Sequence, residues 1–338
     1  MLRRPTTFRA SIDPVPPTVH PFFMTRAALL ELTESILSCP TAPTFEHAVR
    51  ARLLVLLKPL SGVTTQIDPV GNLIAEYRGT DRQPEYALVA HMDHPGWRLQ
   101  PKREFLGSVP DELLDKAGIQ SFGDFGMWDL PAFELRHDRI YSRACDDLIG
   151  CVAIVATLQE LSFANIQSSI SAVFTRAEEV GLVGAVHLAR SGRLPAGIIP
   201  ISLETSSELP PAKMGEGVII RVGDKSSVFD PDVTARLVRL AQAQSIGYQR
   251  CLMPGGTCEA TAFNLFGYPA GALCIALGNY HNCTSDGRID SEYVSLTDLE
   301  GLIAFCVALS HRSESANNVR DELRLRFERW LSEFPLQS

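Results

Sequence analysis

From Thr25 to Leu60 the apolar residues recur three and four apart, in ALLELTESILS and again in FEHAVRARLLVLLKPL. That spacing predicts two amphipathic helices, broken near Pro40 and Pro43. Beyond them the pattern changes to short apolar runs: GNLIAEY, YALVAHMD, SSISAVFTR, GIIPISLE, GVIIRVG and AGALCIALG. These strand candidates alternate with stretches of helical period at 147–161, 231–245, 295–311 and 319–333. The alternation predicts an α/β fold, a three-layer α/β/α sandwich around a mostly parallel mixed sheet. Residues 95–140 break the rhythm with turn residues and with the aromatics Trp97, Phe122, Phe125 and Trp128. They read as a small insertion whose aromatics pack locally. The expected organisation is a poorly ordered segment at 1–24, where prolines cluster, a catalytic domain made of 25–94 and 141–338, and the insertion at 95–140.

Composition narrows the function classes. A hydrophobic content of 45% over 338 residues is enough for a full core. The 31 basic residues against 39 acids give a net charge of -8 and leave no basic stripe for nucleic acid. The eight cysteines are scattered without a CxxC pair and read as reduced, buried thiols of a cytoplasmic protein. Pro14, Pro16, Pro17 and Pro21 interrupt the place where a signal peptide needs its apolar stretch. No membrane partner is expected.

Residues that suit metals recur at the carboxyl ends of the apolar strands, where open α/β sheets bind ligands. YALVAHMDHPGW delivers His91 and Asp93, and RACDDLIG delivers Asp146 and Asp147 ahead of a helix. FTRAEEVG delivers Glu178 and Glu179, PISLETS delivers Glu204, and ALGNYHN delivers His281. A lone His or Asp in such a place is ordinarily a helix cap or a structural residue. Five such places in register call for another explanation. Two imidazoles and three carboxylates match a zinc pair that shares one carboxylate. Neighbouring residues of a strand point to opposite faces, so of Glu178 and Glu179 one can bind while the other acts. His91 and Asp93 share a face, which suits Asp93 to accept the free ring N–H of His91.

In this order AHMD, ACDDLIGC, TRAEEVGLVGA, GGTCEATAF and YHN resemble the di-zinc metallo-aminopeptidase superfamily. The resemblance is greatest to its deblocking, tetrahedral (TET) and glutamyl aminopeptidase branch, and it covers most of residues 60–310. The pairing of DDxxG with EEVGxxGA is its specific part. The resemblance implies Asp146 as a bridging carboxylate, with His91 and Glu204 on one metal and Glu179 and His281 on the other. It makes Glu178 the general base, with Asp93 beside it in the catalytic set, and the Asp146–Asp147 peptide cis. Implied with these are two divalent ions, zinc with cobalt or manganese as substitutes, and hydrolysis of the N-terminal bond of short peptides. A homo-oligomer accords with the branch. The short insertion is compatible with a dimer, and the tetrahedral particle is not expected.

The match departs from the family in places. Glu204 stands where Asp is usual, which points to a carboxypeptidase or an N-acyl amino acid deacylase of the same superfamily. The 281 - 204 = 77 positions from Glu204 to His281 are too few for the lid domain those enzymes carry. An inactive binding protein on the same fold is a third reading, opposed by the complete set of ligands and base. Cys258 replaces an expected acid and reads as a small buried thiol, with Glu259 following. Recognition of a free carboxylate calls for Arg or Lys, and only Arg143 and Arg176 precede ligand motifs. The spare acids Asp147 and Glu259 suit a free amino group instead, so cleavage from the N-terminus is expected.

Overall fold

The computed structural model describes residues 24–311 and 319–334. The disorder expected for residues 1–24 therefore falls, apart from Met24, outside the described residues.

The central strand Tyr86–His91 is buried at every position. Leu88 and Ala90 face one apolar layer while Ala87 and Val89 face the other, as the two-residue period of a strand requires. Ser169–Thr175 lies parallel on one side of it and Ile199–Ser207 on the other, with Gly271–Gly278 parallel to the latter. Antiparallel strands finish both margins. At one are Leu73–Arg78 and Val63–Ile67. At the other, Gly271–Gly278 pairs first with Val218–Gly223 and then, at its end, with Glu292–Ser295, which is followed by Arg139–Ser142 and Glu134–Arg136. Helices Arg26–Leu37, His47–Leu57, Leu148–Phe163, Pro231–Ala243 and Leu296–Ser310 cover one face. Val183–Ser191 and Glu259–Leu265 cover the other, completing an α/β/α sandwich.

Helix Leu148–Phe163 is apolar nearly all round, packing on the sheet beside Leu296–Ser310 and against Arg26–Leu37 and His47–Leu57. It begins at Asp147, whose carboxylate accepts the Gly150 N–H at 3.2 Å. A Cβ at residue 150 would lie 2.3 Å from that carboxylate, so only glycine fits there.

Residues 96–128 form a separate four-stranded antiparallel sheet, ordered Glu104–Leu106, Gly96–Arg98, Phe125–Trp128, Ile119–Ser121. Trp97 and Trp128 are buried edge to face, 4.2 Å between ring centroids, and Phe125 stacks between Phe45 and Phe122. These aromatics pack locally. The chain then rejoins the main sheet through the Glu134–Ser142 hairpin. Among the described residues no helix is long and apolar enough to cross a membrane.

Candidate metal centre

The carboxyl edge of the parallel strands opens into a cavity of about 400 Å³ lined by His91, Asp146, Glu178, Glu179, Glu204 and His281. His91 is the last residue of the central strand. Glu178 and Glu179 follow Ser169–Thr175 through a turn at Ala177, whose φ is 52°. Glu204 lies within Ile199–Ser207, and Asp146 precedes the helix capped by Asp147. His281 sits in the short turn Tyr280–Asn282 beyond Gly271–Gly278, itself at φ 52°. The Asp146–Asp147 peptide is cis.

The two oxygens of Asp146 face different imidazoles. Oδ1 is 3.5 Å from His91 Nε2 and Oδ2 is 3.6 Å from His281 Nε2. Glu179 Oε2 approaches His281 Nε2 to 3.2 Å, and Glu178 Oε2 lies 4.0 Å from His91 Nε2. Both rings are turned by their other nitrogen: Nδ1 of His91 meets the Asp93 carbonyl at 3.0 Å, and Nδ1 of His281 meets the Ser108 carbonyl at 2.8 Å. A carbonyl can only accept, so each Nδ1 carries a proton and each Nε2 is free to offer its lone pair. Ser108 belongs to the segment beside the main sheet, which thus helps to orient a site residue.

Asp146 Oδ1, Glu179 Oε1 and His281 Nε2 are buried without a hydrogen-bond partner. Such atoms are costly unless something outside the chain satisfies them. Ligand atoms of His91, Asp146 and Glu204 lie within 4.8 Å of one another, as do those of Asp146, Glu179 and His281. The two groups share Asp146, and their nitrogen and carboxylate donors fit a divalent cation each.

The electrostatics point the same way. Burial pushes the Glu178 carboxyl well above its ordinary range, and Glu179, Glu204 and Glu259 add to this. Burial likewise lifts Glu204 to about 7. Asp146 is held below the usual carboxylate range because His281 and His91 outweigh its burial. For the imidazoles burial acts downward, but Asp146 and Asp93 raise His91 well above its ordinary value, and Glu179 and Asp146 do so for His281.

Two expectations need correction. Asp93 does not meet the His91 ring through its carboxylate, which stays 3.7 Å away. It accepts the Glu178 and Glu179 N–H groups at 3.0 and 3.2 Å instead. The strand ends at His91, so the two-residue period that aligned the pair no longer applies. Asp147 and Glu259 do not line the cavity either; both are fully buried, one capping its helix and the other accepting the Thr175 hydroxyl. Arg143 and Arg176 also lie outside its lining. Arg176 is bound to Glu46 and to the Val70 and Thr44 carbonyls. The cations lining the cavity are Arg221 and Lys225, which the sequence reading did not single out. Cys258 lines it as well, with a thiol that burial pushes well up and therefore keeps neutral.

Fold and site together define a metal-dependent hydrolase of the α/β/α type. The chain belongs to the M42 glutamyl aminopeptidase family, whose model matches residues 107–299, more than half of its length. It is a metallo-aminopeptidase, hydrolysing N-terminal peptide bonds with divalent metal. An inferred aminopeptidase of Acetivibrio thermocellus is 29% identical over 275 residues, 72% of this chain and 80% of that one. Among solved structures, the TET1 peptidase of Pyrococcus horikoshii superposes with a TM-score of 0.71 at 22% identity, over 84% of this chain and 100% of the other. A TET aminopeptidase from a marine-sediment Thaumarchaeota archaeon gives 0.74 at 18% identity, over 87% and 99%. At these identities the structural likeness speaks for the fold.

Because the metal-free imidazoles hold protons above their ordinary value, protons compete with metal. Affinity should rise with pH as His91 and His281 lose those protons, and binding near neutral pH should release protons. Calorimetric titration in two buffers of different ionisation enthalpy measures this release. Binding without proton release and without pH dependence would rule out these imidazoles as ligands.

Proposed function

We propose that the cavity holds two zinc ions, one on His91 and Glu204, the other on Glu179 and His281, with Asp146 shared between them. Glu178 is the general base, and the substrates are short peptides with a free N-terminus. The observation that carries this reading is the division of Asp146, one oxygen toward each imidazole, with orphaned donor atoms around it. Imidazole and carboxylate donors suit zinc, and cobalt or manganese would substitute. When bound, the ions polarise the scissile carbonyl and make water a stronger acid.

The chain's own residues do the rest. Glu178 is the least buried of the acids around His91, its side chain 11% exposed. It also comes within ligand distance of His91 and Glu179, but each cation already has an imidazole and carboxylates without it. Its raised proton affinity suits it to take a proton from the attacking water and hand it to the leaving amine. Asp93 acts through it, because the two amides it holds fix the direction in which Glu178 and Glu179 diverge. Glu178→Gln should retain metal and lose on the order of 10²–10⁴ in kcat, whereas Glu179→Gln should lower metal affinity. Metal analysis beside steady-state kinetics separates the two, and the reverse pattern would exchange their roles.

Arg221 and Lys225 support a preference within this activity. Arg221 is buried, donates to Ser206 Oγ at 3.2 Å, and shares the cavity with Lys225. Two cations in the lining suit a carboxylate-bearing side chain, so the favoured N-terminal residue is Glu or Asp. Homo-oligomer formation is proposed too, since one structural relative is described as a dodecamer and another as a tetrahedron or octahedral shell. The proposed location is the cytoplasm. Glutamyl and leucyl tripeptides, each also N-acetylated and C-amidated, test the substrate reading. Acetylation should abolish cleavage and amidation should matter little. Lys225→Met should reduce the glutamyl-to-leucyl ratio of kcat/KM by roughly 10-fold or more, the scale of one charged hydrogen bond. Cleavage that survives acetylation but not amidation would overturn the direction, and an unchanged ratio would overturn the preference.

A further inference from the structure

We infer that Glu292 is a positioning residue that locks the two halves of the metal site together, an inference that rests on Asp146 and His281 being ligands. Glu292 opens the strand Glu292–Ser295 and is fully buried. Its Oε1 accepts the His281 N–H at 2.8 Å and its Oε2 accepts the Asp146 N–H at 3.0 Å. One carboxylate thus ties the backbones of two ligands that arrive from different loops. The topology makes this reach natural. Strand Glu292–Ser295 lies between Gly271–Gly278, which leads to His281, and Arg139–Ser142, which leads to Asp146.

Neither amide has a partner in a helix or sheet ladder. His281 sits at φ 52°, ψ 37°, a left-handed conformation that a residue with a Cβ keeps only when its surroundings hold it. His94 supplies a second tie between the same loops: its Nδ1 meets the Asp146 carbonyl at 2.6 Å and its Nε2 meets Asn282 Oδ1 at 3.0 Å. The N–H and C=O of Asp146 are therefore both fixed, and with them the direction of the shared carboxylate. Asp93 does the same for Glu178 and Glu179. Two buried carboxylates, each gripping two amides, set four residues of the site. A glutamine at 292 has one acceptor, and its NH₂ would confront the remaining N–H.

The test is cobalt(II) titration of the EDTA-stripped full-length protein, wild type against Glu292→Gln and Glu292→Asp, followed by the visible cobalt spectrum and by calorimetry. Thermal unfolding of the metal-free forms is measured alongside. Glu292→Gln should bind cobalt about 10–100-fold more weakly with an altered spectrum, and kcat should fall more than KM changes. Glu292→Asp keeps the charge but is one methylene short of spanning both amides, so it should fall between the two. If Glu292→Gln does not fold, the aspartate variant decides by the same criteria. Wild-type affinity and spectrum in the variants, with only the unfolding temperature lowered, would reduce Glu292 to a structural residue and overturn the inference. Asp146→Asn is the control for the underlying reading. Unchanged cobalt binding there would remove the site assignment and this inference together, whereas lost binding there with normal binding in the Glu292 variants would remove the inference alone.

Discussion

The crowding of acidic side chains out of water at one sheet edge sets the terms for the rest of the molecule. Asp146, Glu178, Glu179 and Glu204 converge on two imidazoles in a single cavity, and Asp147, Glu259 and Glu292 are buried close behind. Desolvation alone opposes ionising so many carboxyls together. The chain answers in two ways. Asp93 and Glu292, which do not face the cavity, each spend both carboxylate oxygens on backbone N–H groups, and Asp147 spends one on the Gly150 N–H. Facing the cavity, Asp146 and Glu179 keep orphaned oxygens beside the orphaned Nε2 of His281, which is where a cation is called for. At Asp93 and Glu292 the same residue type that elsewhere faces the cavity instead holds the backbone around it.

The architecture follows from that demand. A parallel core brings the ends of Tyr86–His91, Ser169–Thr175, Ile199–Ser207 and Gly271–Gly278 to one edge, so residues far apart in sequence need only short loops to meet. Apolar layers pack both faces of the sheet behind those ends. Helix Leu148–Phe163 is the clearest case, because it anchors the Asp146–Asp147 pair from inside the core and leaves glycine as the only residue that fits at 150.

Much of this is legible in the sequence, for identifiable reasons. Buried strands announce themselves as apolar runs, and the polar residue that ends each run stands out against it, which is how His91, Asp146, Glu178, Glu179, Glu204 and His281 were singled out. Helices Val183–Ser191 and Glu259–Leu265 were not, because one follows a turn directly and the other is too short for its period to register. Strand Val63–Ile67 is largely exposed and carries no apolar run. Glu292 and His94 were missed because their role is to hold backbone amides, and no spacing rule encodes a contact across two loops. Asp93 does take the His91 ring N–H, but through its carbonyl and not its carboxylate, since a strand period was extended past the strand's last residue. Arg221 looked like an ordinary strand residue until the sheet turned it toward the cavity.

The central claim is that Asp146 is shared by two metal ions. An anomalous difference map from crystals of the zinc-loaded protein, recorded on both sides of the zinc edge, tests it most directly. The account predicts two zinc peaks flanking the Asp146 carboxylate, one beside His91 and Glu204 and the other beside Glu179 and His281. A single peak, or zinc bound away from Asp146, would contradict it.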